Sequence, residues 1–491
     1  MGYRDPARWS PNSIRRETNG LIKTVGIDLA IGSGEHKVRC LDEKAQPCDG
    51  FTFETSSEGL AKLEERVFAQ GENPIVVFEP TGLVWLQVAI YLRARHPDCR
   101  LVRVQTRKVA ALRRYLRRSS KSDKVDALTL AKMPFVDSER LEPVYLPSAK
   151  IHAMQRLAKQ RKRLETAIGK QKTIIGSVID GYLPGIRRAF SNPWSVPARA
   201  FLCSRLNPMA VARATERALH VYLTKQRYHG EVDRAESHAV YLACQDVAKI
   251  YSLSLAAGSV DADFLDELQE QVSRDFRILS MLEAECDAIA QRLKELYLEL
   301  HPSDNLRTIP GVGEHTAPIF LATIGDPQRF PSQAAFANYT GVVPAAKQSS
   351  QTEAKGLNMT KAGPAVLKWA LFQSGQIGRR CDPQLAHVYY RQMVYHGKNH
   401  KQAMGAVMSH LAARVLSVLR ENKPYELRDV MGKPISHDEA RELISSMYRV
   451  PEDVRAERRR QKPTPRPEYP IKRRGMTFSS KNEAACAPQA V

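Results

Sequence analysis

The 491-residue sequence predicts an α/β domain over 21–148, a long-helix region over 149–302 and a mainly α-helical domain over 303–422. Three patterns predict this: strand-like apolar runs alternate with helical ones up to 148, apolar residues then recur at heptad spacing, and a Pro-Gly turn sits between helical segments at 307–324. A polar leader (1–20) and a basic tail (423–491), expected to be a mobile arm because it combines Arg/Lys runs with prolines, flank these regions.

Within the first region, Thr24 to Ala30 (TVGIDLA) reads as a buried strand, and HKVRCLDE (36–43) and GFTFET (50–55) as its partly alternating partners. A helical pattern from Ser57 to Gln70, an apolar strand IVVFE (75–79), a helix from Leu83 to Arg95 and a strand RLVRV (100–104) follow, with a further helix after them. A three-stranded meander followed by helix, strand, helix, strand, helix is the order of the RNase H-like fold, to which the RuvC-like resolvases belong.

Two long amphipathic segments dominate the middle. Met154, Leu157, Leu164, Ile168, Ile175 and Val178 fall on a and d positions of one heptad frame, interrupted by Arg161 and Gln171. A second frame runs through Leu265, Leu268, Val272, Leu279, Leu282, Cys286, Ile289, Leu293, Leu296 and Leu300, broken by Asp275. The two seams fit an intramolecular core or an oligomerising coiled coil equally well, and 183–262 between them carries no legible motif. RTIPGVGEHTAPIFLATI (307–324) fits a helix-hairpin-helix whose glycines admit a phosphate, or a simple capping turn.

Composition narrows the partners. Lys and Arg number 74 against 53 Asp and Glu, a net charge of +21 that attracts polyanions and makes nucleic acid the leading partner. The eight cysteines include no CxxC pair, so neither a zinc ribbon nor a disulfide framework is written here. No run of about 18 apolar residues and no signal-peptide core occur, so a soluble, cytoplasmic, nucleoid-associated protein with no membrane contact is expected.

Four acids carry the chemistry. Asp28 lies inside an apolar strand, where a carboxylate is heavily penalised unless a partner or a metal meets it. Glu79 ends IVVFE just before the Pro80-Thr81-Gly82 turn. Asp123 and Asp126, in KSDKVDALTLAKM, are three residues apart on a helix and share a face. Each alone has a plain explanation as a strand-end, dipole or surface acid; together they form a set of hard oxygen ligands for divalent cations, with Mg2+ expected as two ions about 3.5–4 Å apart. The preceding stretch, 101–122, holds eight basic residues and no acidic one. Arg107, Lys108, Arg113, Arg114, Arg117, Arg118 and Lys121 are the expected nucleic-acid contacts within it.

With GID (26–28), EPTG (79–82) and KSDKVDA (121–127), the chain resembles the DEDD-type insertion-sequence transposases, the bridge-RNA-guided serine recombinases. The resemblance covers most of 21–420 and implies that Asp28, Glu79, Asp123 and Asp126 are the catalytic and metal-binding acids. It continues through IPGVG, GVVP (341–344), QSS (348–350) and KAGP (361–364). By that alignment Ser349 is the nucleophile that holds a DNA strand as a phosphoserine, with Ser350 as its rival because it replaces the family's glycine. Lys361 matches a lysine that steadies the scissile phosphate; Lys347 and Lys355 are weaker candidates, and Pro364 stands where the family has asparagine. The resemblance further implies a structured noncoding guide RNA and a homo-oligomer, dimer or tetramer, acting on element ends and target DNA.

Two other functions fit parts of this pattern. A resolvase-like endonuclease would use metal-activated water and be indifferent to Ser349. A non-catalytic nucleic-acid-binding protein would keep the fold without the chemistry, and the intact acid set argues against it.

Overall fold

The computed structural model describes residues 22–31, 34–69, 73–79, 82–104, 106–116, 123–136, 138, 141, 143–227, 232–258, 263–343, 348–349, 352–353, 359 and 363–460. They fall into two compact units that divide between Ser148 and Ala149.

The first unit is built on β1 (Thr24–Asp28), β2 (His36–Leu41), β3 (Pro47–Phe53), α1 (Ser57–Phe68), β4 (Ile75–Phe78), α2 (Val84–Arg95), β5 (Leu101–Arg103), α3 (Thr106–Tyr115) and α4 (Asp123–Val136). The sheet order is β3-β2-β1-β4-β5, antiparallel across the first three strands and parallel across β1, β4 and β5. This mixed sheet is that of the RNase H-like fold. Successive residues of β1 serve opposite faces. Val25 and Ile27 join the core that holds Leu63 and Val67 of α1 and Val88, Ala89 and Leu92 of α2. Thr24, Gly26 and Asp28 therefore face the other side, where Val77 of β4 packs with Val109 and Leu112 of α3 and Leu130 and Met133 of α4.

One expectation needs correction here. Asp28 is the last residue of β1, not an acid inside a strand running to Ala30. It therefore sits at the rim of the sheet, half-buried, where a polar ligand can reach it.

In the second unit, α5 (Ala149–Tyr182) and α11 (Phe264–Leu300) run antiparallel: Lys150 pairs with Glu299 at one end, and Gln171 with Asp275 further along. The two frames thus meet each other within one chain. Their polar interruptions are matched, because Gln171 Nε2 donates to Asp275 Oδ1 at 2.9 Å and fixes the register. Arg161, the other break, pairs with Glu165 at 3.5 Å. Between the long helices, α6 (Ile186–Ala189), α7 (Val196–Ser204), α8 (Pro208–Arg213), α9 (Glu216–Lys225) and α10 (Arg234–Ala256) close a core of their own on the far end of the pair. The described residues of 183–262 are thus mainly helical.

The remainder comprises α12 (Ala317–Ile324), α13 (Gln333–Thr340), the short strands β6 (Gln348–Ser349) and β7 (Thr352–Glu353), α14 (Ala365–Gly378), α15 (Pro383–Val394), α16 (His400–Glu421), α17 (His437–Met447) and α18 (Glu452–Arg460). Its core includes residues of α5 and α11. Among the described residues α16 alone is long and apolar enough to cross a membrane, but half of that apolar stretch is buried in this core. The turn at 309–313 lies between a 3-10 turn (Asn305–Thr308) and α12. Gly311, at φ +90°, has Ser374 O and Gly378 N of α14 where a Cβ would stand, so helix packing accounts for it.

The segment expected to be unpacked from 423 is instead packed as far as Val450. Tyr425 donates to the fully buried Asp382 Oδ2 at 2.7 Å and accepts from Arg414 Nε at 2.9 Å, so the segment after α16 completes a buried polar network. Ala440 of α17 and Val450 are also buried. Arg/Lys runs and prolines mark solvent-facing residues without revealing the few anchors between them. Residues 461–491 lie outside the described residues.

Candidate active site

The acids of the first unit are placed by the two central strands and the helix that crosses them. Ile27 of β1 is level with Phe78 of β4, so Asp28 and Glu79 follow side by side at the carboxyl ends of neighbouring parallel strands, which run roughly 4.8 Å apart. Both continue the face on which α4 lies.

Gly26 sets how close that helix comes. A Cβ there would stand 2.0 Å from the backbone oxygen of Ala127 and 2.4 Å from the nitrogen of Ala131, so only glycine lets α4 touch the strand. Thr24 Oγ1 donates to Ala131 O at 2.8 Å and ties the next turn down. The helix therefore runs back along β1: Ala131 lies over Thr24 and Ala127 over Gly26. Its first turn, with Asp123 and Asp126, is carried toward Asp28. The glycine of GID was in view in the sequence, but its role needed the helix above it.

Asp126 is buried, and Arg113 of α3 donates to its Oδ1 at 2.5 Å. Arg113, expected on the nucleic acid, supplies the counter-charge of this buried acid. Lys108 and Arg114 are exposed on α3, as the expected contacts require. Arg107 lies in α3 and Asp123 opens α4, their side chains outside the described residues. Arg117, Arg118, Lys121, Lys347, Ser350, Lys355 and Lys361 fall outside them altogether.

His36 shapes the chain that leaves the site. Its Nδ1 accepts from Ala30 N–H at 3.1 Å and its Nε2 is 2.6 Å from Thr55 Oγ1, an arrangement that needs a neutral ring with the proton on Nε2. Burial holds its pKa below the ordinary histidine value.

The donor chemistry suits a hard divalent cation, since the acids present only carboxylate oxygen. Among the described residues no three His, Cys, Asp or Glu side chains are gathered closely enough to hold one, and Arg113 stands against Asp126.

In the second unit Ser349 pairs with Thr352 across the two-residue β6–β7 ladder, its side chain outside the described residues. Pro364 is the N-cap of α14 and makes no side-chain capping bond. An asparagine there would supply one, which gives a physical meaning to that departure from the resemblance.

Residues 25–184 match a family model of DEDD type, of the IS110 group, described as Transposase, and residues 303–391 match that of the Transposase IS116/IS110/IS902 family. Two stretches of the chain are thus similar to domains of IS110-family transposases. The first matched stretch holds Asp28, Glu79, Asp123 and Asp126, and the second holds Ser349 and Lys361. An insertion element IS110 uncharacterized 43.6 kDa protein of Streptomyces coelicolor is 36% identical over 136 residues, 28% of this chain and 33% of that protein. Pilin gene-inverting proteins of Moraxella bovis and Moraxella lacunata are each 32% identical, over 26% and 25% of this chain and 40% and 38% of theirs. The matched parts thus span about a third to two-fifths of these relatives.

Proposed function

We propose that this chain is the transposase of an insertion sequence, cutting and rejoining DNA strands by metal-dependent phosphoryl transfer with Ser349 as nucleophile. The observation that carries the reading is the seating of α4 on Gly26, which directs Asp123 and Asp126 toward the strand ends that bear Asp28 and Glu79. The match of both transposase domains, and the gene-inverting function named for two relatives, support it.

Asp28, Glu79, Asp123 and Asp126 are the residues that would hold divalent cations, magnesium and two in number. Cations so held activate an attacking oxygen and stabilise a leaving one. Ser349 Oγ attacks a phosphodiester phosphorus, the Oγ–P bond forms as the P–O bond to one strand end breaks, and the serine proton ends on the released hydroxyl. A hydroxyl of the other strand then reverses the step, so the bond energy is kept for rejoining. Lys108 and Arg114, with the basic residues that follow them, hold the backbone, and Lys361 steadies the scissile phosphate. Sequence choice falls to an element-encoded structured RNA, as suits a protein that grips duplex shape through cations. The protein works as a homo-oligomer, dimer or tetramer, at the nucleoid.

The test is adduct trapping. Protein, magnesium, end-labelled junction DNA and RNA transcribed from the element's flanks are incubated and denatured. Label should migrate with wild-type protein and with Ser350→Ala but not with Ser349→Ala or Asp126→Asn. Free cleaved ends without adduct in both wild type and Ser349→Ala would replace recombination by hydrolysis, the reading of a resolvase-like endonuclease.

A further inference from the structure

The C-terminal unit holds a second concentration of positive charge, far in sequence from the basic stretch of 101–122. A cavity of about 380 Å³ opens between the end of α14, α15, α17 and α18, lined by Arg379, Arg380, Arg441, Arg449, Arg455 and Tyr448 among others, with no carboxylate in its wall. Helix ends attract cations, which accounts for Arg379 and Arg380 after α14 and Arg449 after α17. It does not account for Arg441 and Arg455, which approach the same space from within α17 and α18.

The arginines divide into two kinds. Arg441 and Arg455 are partly neutralised by Asp438 at 3.0 Å and Glu452 at 3.5 Å. Arg379 lies over the ring of Tyr389, 4.4 Å from its centroid, and donates to Gln376 Oε1 at 3.1 Å, so it is aimed and rigid. Burial, then repulsion from Arg380 and Arg455, lowers its pKa from the ordinary arginine value. The exposed guanidinium groups of Arg380 and Arg449 make no hydrogen bond or ion pair with any described residue. Behind the wall, His387 packs edge-on against Tyr448, and its buried Nδ1 has no hydrogen-bond partner among the described residues.

We infer that this arginine cradle is a nucleic-acid-binding site that seats one segment of a phosphodiester backbone. Like charges crowded around one cavity repel, and an anion between them removes that repulsion. Planar guanidinium forks match phosphate oxygens two at a time, and the half-exposed Tyr448 offers a ring on which a base stacks. The volume suits a single nucleotide unit, not a flat duplex footprint. The inference rests on the reading that the chain handles nucleic acid. Most of the cradle lies beyond residues 303–391, so the matched transposase domain does not account for it.

The test uses the full chain and labelled 20-nucleotide RNA, single-stranded DNA and duplex DNA of one sequence, with anisotropy read across a salt series. Arg380→Glu/Arg449→Glu should weaken binding of at least one probe by roughly tenfold or more and flatten its salt dependence by about two phosphate contacts. The probe that changes names the strand seated. Arg274→Glu/Arg292→Glu on α11 makes the same change in net charge where the arginines already face glutamates, and should change far less. Arg380→Gln/Arg449→Gln, with an unchanged unfolding midpoint, should keep the loss and separate it from misfolding. Wild type and both cradle variants binding all three probes with equal affinity and slope would overturn the cradle while leaving the transposase reading standing. Failure of the wild type itself to bind any probe would overturn that reading, and the cradle with it. Loss seen only with a polyglutamate probe would make the occupant an acidic protein and overturn the inference.

Discussion

Gly26 is the residue on which the candidate site turns. A methyl group there collides with the backbone of α4, which cannot rotate out of the way as a side chain could. Gly26→Ala should therefore lower stability by roughly 3 kcal/mol or more. Because the helix that must move carries Asp123 and Asp126, activity should fall further than the folded fraction does. Circular dichroism melting beside adduct yield measures both, and a stable, fully active Gly26→Ala would show that the close approach is unnecessary. Arg113 is the second such residue. Arg113→Ala leaves Asp126 buried without its cation, a loss of roughly 3 kcal/mol of stability for a pair so enclosed. Added magnesium should then raise the melting temperature of Arg113→Ala more than that of wild type, since the vacated carboxylate gains a ligand. Equal shifts in the two proteins would argue that Asp126 does not meet the ion.

Elements are fixed by polar anchors as much as by apolar faces. The heptad seams of α5 and α11 could have served two chains; the Gln171–Asp275 hydrogen bond shows which alignment the sequence specifies, because each polar break satisfies the other. The segment after α16 is anchored in the same way. Asp382 has no exposed surface, accepts hydrogen bonds from Leu385 N–H and Tyr425 Oη, and forms an ion pair with Arg414 at 3.4 Å. Burial pushes the Tyr425 hydroxyl up to about 12, so it remains a donor throughout the neutral range. Tyr425→Phe removes one donor from a buried carboxylate and should destabilise the C-terminal unit by about 1–3 kcal/mol. Proteolysis should then cut more readily after residue 421, and an unchanged cleavage pattern would mean that α17 and α18 are held without this network.

Among the described residues, four histidines act in the same direction. His36, His301, His400 and His410 are each shifted below the ordinary histidine value, burial being the largest cause, with Arg379 and Lys401 adding to the shift at His400 and Arg414 and Arg391 at His410. At His400, Gln376 Nε2 donates to Nε2, which leaves the proton on Nδ1 facing Tyr389 Oη, again a neutral ring. When a folded-state pKa is depressed, the unfolded chain takes up the proton first as pH falls, so stability is retained above the unfolded value near 6.5 and lost below it. The unfolding midpoint should hold steady from about pH 8 to 7 and decline from about 6.5 toward 5. A flat profile over that lower interval would mean that these rings are not neutral in the fold.

The order of strands and helices in the first unit, and the acids that stand on them, were legible because alternation of period two and 3.6 is a local property and a carboxylate beside an apolar run is visible wherever it falls. The same locality set the limits. Asp28 looked central because Leu29 and Ala30 prolong an apolar run, although strand pairing stops at Asp28, two residues short of Ala30. The tail from 423 looked mobile because its composition is polar, although Tyr425 bonds to buried Asp382 and Ala440 and Val450 are themselves buried. Sequence alone determined which chemical groups this protein owns and the periodicities that bring them into secondary structure. Tertiary structure decided that α4 lies on a glycine, that Arg113 turns to Asp126, and that five arginines from three helices and their ends surround one cavity, since contacts between residues distant in the chain exist only once it has folded.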